Sequence, residues 1–293
     1  MKKLEKSITI VDIAACAAEL RRKRKDLVMP EGIFDTHAHY DDKAFDQDRE
    51  QILESLAENK ICAVVDVGAD LKSTQRAVAL AQKYPYVYAA AGIHPTETKD
   101  CNQEIFQQLT VQAAMPKVVA IGEIGLDYHW DTPRDLQKKW FEKQLYLAVE
   151  KDMPVIIHSR DAAEDTFRML KEAWNYAKQK DKKLSGVIHC FSYEVELARE
   201  YVKMGFWLGI GGVVTYKNAR KTKQVVKEIS LENIVLETDC PYLTPEPHRK
   251  ERNSSLYLPF VAEEIAAIKE ITVQEVIQTT TKNAKRLYRV EIL

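Results

Sequence analysis

Residues 155–160 read VIIHSR, and this short stretch contains the pattern that decides the fold. Three apolar β-branched residues are followed at once by a histidine, a serine and an arginine. A continuous apolar run suits a strand buried on both faces, as in a parallel sheet. Similar apolar runs recur along the chain, separated by segments with helical periodicity. The runs lie at 33–35, 61–67, 87–92, 118–122, 155–157, 186–188, 206–210 and 234–236.

The segments between and after the runs predict helices. Phe141, Leu145 and Ala148 share one face at spacings of four and three. Near the C-terminus, Thr272 followed by Glu275 has the spacing of a capping box. Repeated strand and helix units predict the α/β class and a (β/α)₈ TIM barrel. An open doubly wound sheet is the alternative, but the glycine-rich first turn that often accompanies it is absent.

Residues 1–31 precede this rhythm and predict an N-terminal helical extension to a barrel domain at 32–293. Residues 8–25 have the pattern of an amphipathic helix and end in RRKRK. Cations suit a solvated helix end, which we favour over a nucleic-acid patch.

Composition excludes several classes of protein. The formal net charge of −1 argues against a general polyanion binder, so any grip on nucleic acid must be local. Five cysteines without a C-x-x-C pair argue against a disulfide scaffold and favour a reducing, cytoplasmic setting. No apolar stretch approaches the length of a membrane span, and no obligate protein partner is predicted.

Most of the apolar runs end in side chains that can bind a metal ion. In a (β/α)₈ barrel the carboxyl ends of the strands meet on one rim, where active sites lie. Five of the seven histidines would converge there with several carboxylates. Such groups are costly to bury unpaired, and a cation would remove that cost. The predicted ligands are His37, His39, Glu123, His158, His189 and Asp239.

This ligand set predicts two divalent cations. His37 and His39 stand two apart on a strand and can reach one ion together. The full set exceeds a single catalytic zinc site, which takes three protein ligands and keeps an open position. We expect Glu123 to bridge two ions. One ion would be held by His37, His39 and Asp239, the other by His158 and His189.

Neighbouring residues bear on the identity and support of the ions. Imidazole and carboxylate ligands suit Zn, Mn, Ni or Fe, and Mg less well. Strand alternation predicts that Cys190 and Cys240 point away from the site. Asp127 and Glu237 could orient metal-bound histidines.

At these positions the chain resembles the TatD family of metal-dependent DNases. The matching segments are FDTHAHYD (34–41), GIHP (92–95), GEIGLDYHW (122–130), PVIIHSRDA (154–162), HCFS (189–192) and ETDCPYLTPEPHRKERN (237–253). The resemblance implies a barrel with a binuclear site and hydrolysis of phosphodiester bonds in DNA. It also implies that the six predicted ligands bind metal and that His94 contacts the substrate phosphate. Members often carry histidine after GIHP, where this chain has Thr96.

We therefore expect a metal-dependent deoxyribonuclease, acting as a 3′–5′ exonuclease on single-stranded DNA. The predicted catalytic residues are Glu123, which would bridge the cations, and Asp239, which would orient or deprotonate the attacking water. Substrate contacts are predicted for Arg160, Arg249 and Arg252 with phosphate and for Tyr242 with a base, with Trp130 and Phe191 as further stacking candidates.

Two other functions fit the same residues. A binuclear barrel could hydrolyse a small amide, ester or lactone, because the same metals polarise a carbonyl. A metal-loaded protein that binds nucleic acid without cleaving it is the second alternative.

Overall fold

Eight parallel strands, hydrogen-bonded in chain order, form the sheet at the centre of the molecule. The computed structural model describes residues 32–291, so the predicted N-terminal helix and its basic run lie outside the described residues. The strands are β1 (Ile33–Ala38), β2 (Ile61–Val67), β3 (Val87–Ala91), β4 (Val118–Asp127), β5 (Val155–Arg160), β6 (Gly186–Ile188), β7 (Trp207–Ile210) and β8 (Ile234–Leu236).

Helices connect successive strands, as a parallel sheet requires. Within residues 32–291 the α-helices are α1 (Arg49–Ser55), α2 (Leu71–Lys83), α3 (Gln103–Gln112), α4 (Arg134–Lys151), α5 (Ala163–Gln179), α6 (Val195–Lys203), α7 (Arg220–Glu228), α8 (Leu258–Lys269) and α9 (Val273–Tyr288). Thr272 caps α9, and its hydroxyl accepts the Glu275 N–H at 3.1 Å, as the capping pattern predicted.

The sheet closes on itself where β1 meets the segment that follows β8. The Thr36 hydroxyl donates to the Leu236 carbonyl, and the Asp239 N–H donates to the His37 carbonyl, both at 2.9 Å. A parallel bridge between Ala38 and Cys240 extends the same junction. The predicted (β/α)₈ barrel is therefore confirmed.

Two layers of apolar side chains fill the barrel and its surroundings. One cluster takes alternate residues from the strands, such as Phe34, Val65 and Ile156, together with Leu287 of α9. The larger cluster lies between the strands and the helices, and the predicted face of α4 is buried there.

No helix within residues 32–291 combines the length and the apolar character needed to cross a membrane.

Candidate metal centre and active-site cleft

The six predicted ligands come together at the carboxyl end of the barrel. His37 lies in β1, Glu123 in β4 and His158 in β5, while His189 follows β6 directly. Asp239 follows β8 and adopts a left-handed backbone conformation with φ of 58°, which aspartate tolerates better than most residues. Strands β1, β4 and β5 are longer than their apolar runs, so His37, Glu123 and His158 belong to the strands themselves.

Four ligand atoms form a compact first group. His37 Nε2 lies 3.1 Å from His39 Nε2, 3.4 Å from Glu123 Oε2 and 3.8 Å from Asp239 Oδ1. His39 Nε2 lies 3.4 Å from Asp239 Oδ1 and 3.8 Å from Glu123 Oε2. Ligands bound at 2.0–2.2 Å with tetrahedral angles stand about 3.3–3.6 Å apart. The spacing of this group therefore fits a metal ion.

The second oxygen of Glu123 faces a different set of histidines. Glu123 Oε1 lies 2.8 Å from His158 Nδ1, 3.8 Å from His94 Nε2 and 3.9 Å from His189 Nε2. The His189 ring also stacks on His37, with centroids 3.6 Å apart, and its Nε2 lies 3.7 Å from Asp239 Oδ1. One carboxylate thus contacts both groups, which is the arrangement expected of a bridging ligand.

Two of the histidines are hydrogen-bonded to an acceptor behind the ring, and a third faces a carboxylate there. His39 Nδ1 pairs with the Val67 carbonyl at 2.8 Å, and His158 Nε2 pairs with Asp127 Oδ2 at 2.9 Å. His189 Nδ1 lies 3.1 Å from Glu237 Oε1. Histidines that bind metal usually donate their other ring N–H to such a group, which fixes the tautomer and the ring orientation.

Glu237 depends on a glycine for its position. A Cβ at Gly209 would lie 2.0 Å from Glu237 Oε2, so the side chain occupies space that only glycine leaves open. The Glu237 Oε1 atom also accepts the Cys190 N–H at 2.6 Å. The space at Gly209 and the hydrogen bond from the Cys190 N–H together hold the carboxylate behind His189.

The electrostatic field of the cluster favours positive charge. Burial alone would lower the pKa of His39, but Asp239 and Glu123 raise it to about 10. Burial likewise opposes protonation of His189, and the charges of Glu237 and Asp239 raise its pKa to about 10. Burial disfavours the charged form of Glu123, yet the surrounding histidines hold its pKa well below the ordinary value. Metal ions displace protons from such ligands, so the donor set suits a divalent cation.

Asp35 fixes β1 relative to the loop that carries Asp239. This fully buried carboxylate accepts hydrogen bonds from the Thr238 N–H at 3.0 Å, the Thr238 hydroxyl at 2.7 Å and the Ser255 hydroxyl at 2.6 Å. It also accepts the His37 N–H at 3.3 Å. The sequence patterns gave Asp35 no role, because it only ends the first apolar run and its partners Thr238 and Ser255 are distant in the chain.

His94 borders the second ligand group and is oriented by Thr96. His94 Nδ1 accepts the Thr96 N–H at 3.3 Å and lies 2.7 Å from the Thr96 hydroxyl oxygen. With Nδ1 as an acceptor, the neutral ring carries its proton on Nε2, which borders the cleft. Burial and the neighbouring His158 lower the pKa of His94 to about 3, so the ring is neutral near pH 7.

The predicted substrate contacts divide into two groups. Arg160 and Tyr242 line the cleft. The Arg249 guanidinium stacks on Tyr216, with its Cζ 4.0 Å from the ring centroid. Arg252 donates to Asp48 Oδ2 at 2.5 Å. The structure therefore does not bring these two arginines to the cleft.

Two other expectations concern neighbouring residues. Phe191 is 2% exposed and packs in the core, away from any stacking surface. The argument that Cys190 points away from the site was wrong, because β6 ends at Ile188 and Cys190 has a φ of 46°. Its sulfur lies within 4.8 Å of ligand atoms of His189 and Glu237.

Comparisons with known proteins agree with this geometry. The family model for TatD-related DNases matches residues 34–289. The chain is 46% identical over 259 residues to the metal-dependent hydrolase YabD of Bacillus subtilis, covering 88% of this chain and 99% of YabD. It is 31% identical over 265 residues to the 3′-5′ ssDNA/RNA exonuclease TatD of Pectobacterium carotovorum, covering 88% and 99%. The crystal structure of YjjV, a TatD homologue from Escherichia coli, has a TM-score of 0.81 and 30% identity, covering 88% and 98%.

Proposed function

Because this chain belongs to the family of TatD-related DNases, we propose that it hydrolyses phosphodiester bonds in single-stranded DNA, as a 3′–5′ exonuclease. The chain is a metal-dependent hydrolase of that family. The 3′-5′ ssDNA/RNA exonuclease from Pectobacterium supports the proposed action on single-stranded DNA, because it shares nearly its whole length with this chain.

The observation that carries the proposal is the division of Glu123 between two groups of ligands. Its Oε2 atom faces His37 and His39, and its Oε1 atom faces His158 and His189. We assign Glu123 as the bridge between two divalent cations. His37, His39 and Asp239 would hold one cation, and His158 and His189 the other. When bound, two such cations stabilise the attacking and leaving oxygens of a phosphodiester and lower the pKa of water.

The side chains of the cleft would carry out the remaining steps. The Asp239 side chain is 19% exposed whereas that of Glu123 is 5% exposed, so Asp239 is the carboxylate that can reach a water molecule. Asp239 would accept the proton of the attacking water as a general base. His94 would donate a hydrogen bond from its Nε2–H to a phosphate oxygen, and Arg160 would pair with a phosphate of the same strand.

A substrate panel tests the proposal directly. The full chain is stripped of metal, supplied with Mn²⁺, and given single-stranded DNA labelled at its 5′ end, the matching RNA, and a small amide and lactone. We expect a ladder of DNA products that shortens from the 3′ end. The Asp239→Asn protein, purified identically, controls for contaminating nucleases.

Two results would contradict the proposal. Hydrolysis of the amide or lactone with intact DNA would move the substrate to carbonyl compounds. Tight binding of DNA without cleavage under any divalent metal would remove the nuclease function altogether.

A further inference from the structure

We infer that a side lobe of the cleft, lined by Trp130, Tyr242, Lys99 and Arg160, is a stacking subsite for a nucleotide next to the scissile phosphate. The inference rests on the proposed function and adds a position for the strand. The side lobe has a volume of about 790 Å³, within the range of ligand pockets. It adjoins the metal centre, because His94, His158 and Tyr242 line both it and the cavity above the ligands. Tyr242 stands at the boundary between the two, where its hydroxyl donates to Asp42 Oδ2 at 3.3 Å.

Two exposed aromatic side chains mark the side lobe. Trp130 is 57% exposed and Tyr242 is 55% exposed, and they belong to the three most exposed large hydrophobic residues within 32–291. The Trp130 and His129 rings meet edge to face, with their centroids 5.1 Å apart. This contact leaves most of the indole open to the lobe. Exposed aromatic faces next to a nucleic-acid site provide platforms for bases.

Cations stand beside these aromatic residues. Arg160 is exposed, and within residues 32–291 its guanidinium makes no hydrogen bond or ion pair. The Lys99 ammonium donates to the Asp131 backbone carbonyl at 2.6 Å and has no carboxylate partner among the described residues. The acids of the lobe are Asp131 and Asp127, and Asp127 is already paired with His158 at 2.9 Å. Two cations therefore remain available for phosphates.

The cavity above the ligands is lined mainly by acidic side chains on the side away from the side lobe. Asp41, Asp42, Asp70 and Glu97 line it beside two cations, Lys43 and Arg76. Arg76 already forms an ion pair with Asp41, with the charged atoms 3.0 Å apart. Phosphates in this acidic cavity would meet net repulsion, so the DNA strand extends along the side lobe. A strand that leaves the site in one direction only is the substrate of an exonuclease.

The experiment pairs a protein change with a substrate change. The substrates are a series of single-stranded decanucleotides, each with one abasic residue, and its position moves one nucleotide at a time from the 3′ end. The wild-type protein and the Trp130→Ala protein each digest the whole series in the presence of Mn²⁺. Stacking on one aromatic residue accounts for about 5- to 150-fold in binding. We expect the wild-type kcat/KM to fall by that factor when the abasic residue occupies one particular position. The Trp130→Ala protein should show the same fall on intact DNA and no further fall at that position.

Controls separate a stacking role from a general effect. Trp130→Phe should restore most of the activity, because phenylalanine keeps a stacking face. Val111→Ala changes an equally exposed apolar residue on α3, and Arg286→Ala changes an exposed arginine that pairs with Glu232 ahead of β8. Arg286→Ala serves as the control for Arg160→Ala, which should raise KM while Arg160→Lys raises it less.

The outcomes distinguish this inference from the function beneath it. If the wild-type protein digests DNA but Trp130→Ala gives the same profile of abasic positions, the subsite is overturned and the nuclease function stands. If the wild-type protein digests no oligonucleotide, the proposed function fails and this inference fails with it.

Discussion

Replacing Glu237 with glutamine tests whether the cluster is built as a metal centre. Glu237 is 1% exposed, and its Oε1 atom lies 3.1 Å from His189 Nδ1. Glutamine has the same length, and its carbonyl oxygen can still accept the Cys190 N–H. The substitution therefore removes the charge behind His189 and keeps the shape of the side chain.

The structure sets the size of the expected effect. A bound metal leaves the His189 ring neutral, so the effect comes from a hydrogen bond between its Nδ1–H and the charged Glu237 carboxylate, and bonds of this kind contribute about 1.5–3 kcal/mol. Acceptors behind metal-bound histidines typically contribute ten- to hundredfold in metal affinity or activity, about 1.4–2.7 kcal/mol, which overlaps that range. We expect Glu237→Gln to bind Mn²⁺ or Zn²⁺ ten- to hundredfold more weakly.

Calorimetric titration of the metal-stripped protein measures the affinity, and the melting temperature of the metal-free form reports on folding. Glu251→Gln is the matched control, because Glu251 Oε1 lies 3.0 Å from His248 Nδ1 in a carboxylate–histidine pair outside the ligand set. Its metal affinity should equal that of the wild type.

A Glu237→Gln protein with wild-type metal affinity would refute the reasoning. The His189 ring would then owe its orientation to packing against His37 and not to the carboxylate behind it.

Three further predictions follow from the geometry. Asp239→Asn should abolish turnover with an unchanged circular dichroism spectrum, and wild-type rates in that variant would contradict its assignment as the base. Thr96→Val removes the hydroxyl 2.7 Å from His94 Nδ1 and should lower kcat/KM for DNA by about two- to tenfold, while Thr96→Ser keeps it; equal loss in both would rule out the hydroxyl. Arg252→Gln breaks the pair with Asp48 and should lower the free energy of unfolding in urea by about 1 kcal/mol. A tenfold rise in KM at unchanged stability would instead place Arg252 on the substrate.

The barrel and the meeting of the six side chains could be predicted because both follow from local patterns. An apolar run fixes a strand, and the residue at its carboxyl end reaches one common rim. The extension of β4 to Asp127 could not be seen in the same way, because a glycine and a glutamate interrupt its apolar run.

The remaining features of the site depend on contacts that the sequence does not display. The acceptor behind His39 is the backbone carbonyl of Val67, which leaves no mark on residue type. Arg252 looks like a free loop charge, and its partner Asp48 lies 204 residues away in the chain. Neither contact has a local signal, so only the folded chain reveals it.

The junction between β1 and the segment after β8 ties two properties of the protein together. The His37 carbonyl accepts the Asp239 N–H there, and both residues also present side chains to the candidate metal centre. The barrel cannot open at this junction without separating the groups that would perform hydrolysis. Loss of catalytic activity on heating should therefore coincide with the separation of β1 from the segment after β8. Residual activity would then report whether the barrel is still closed.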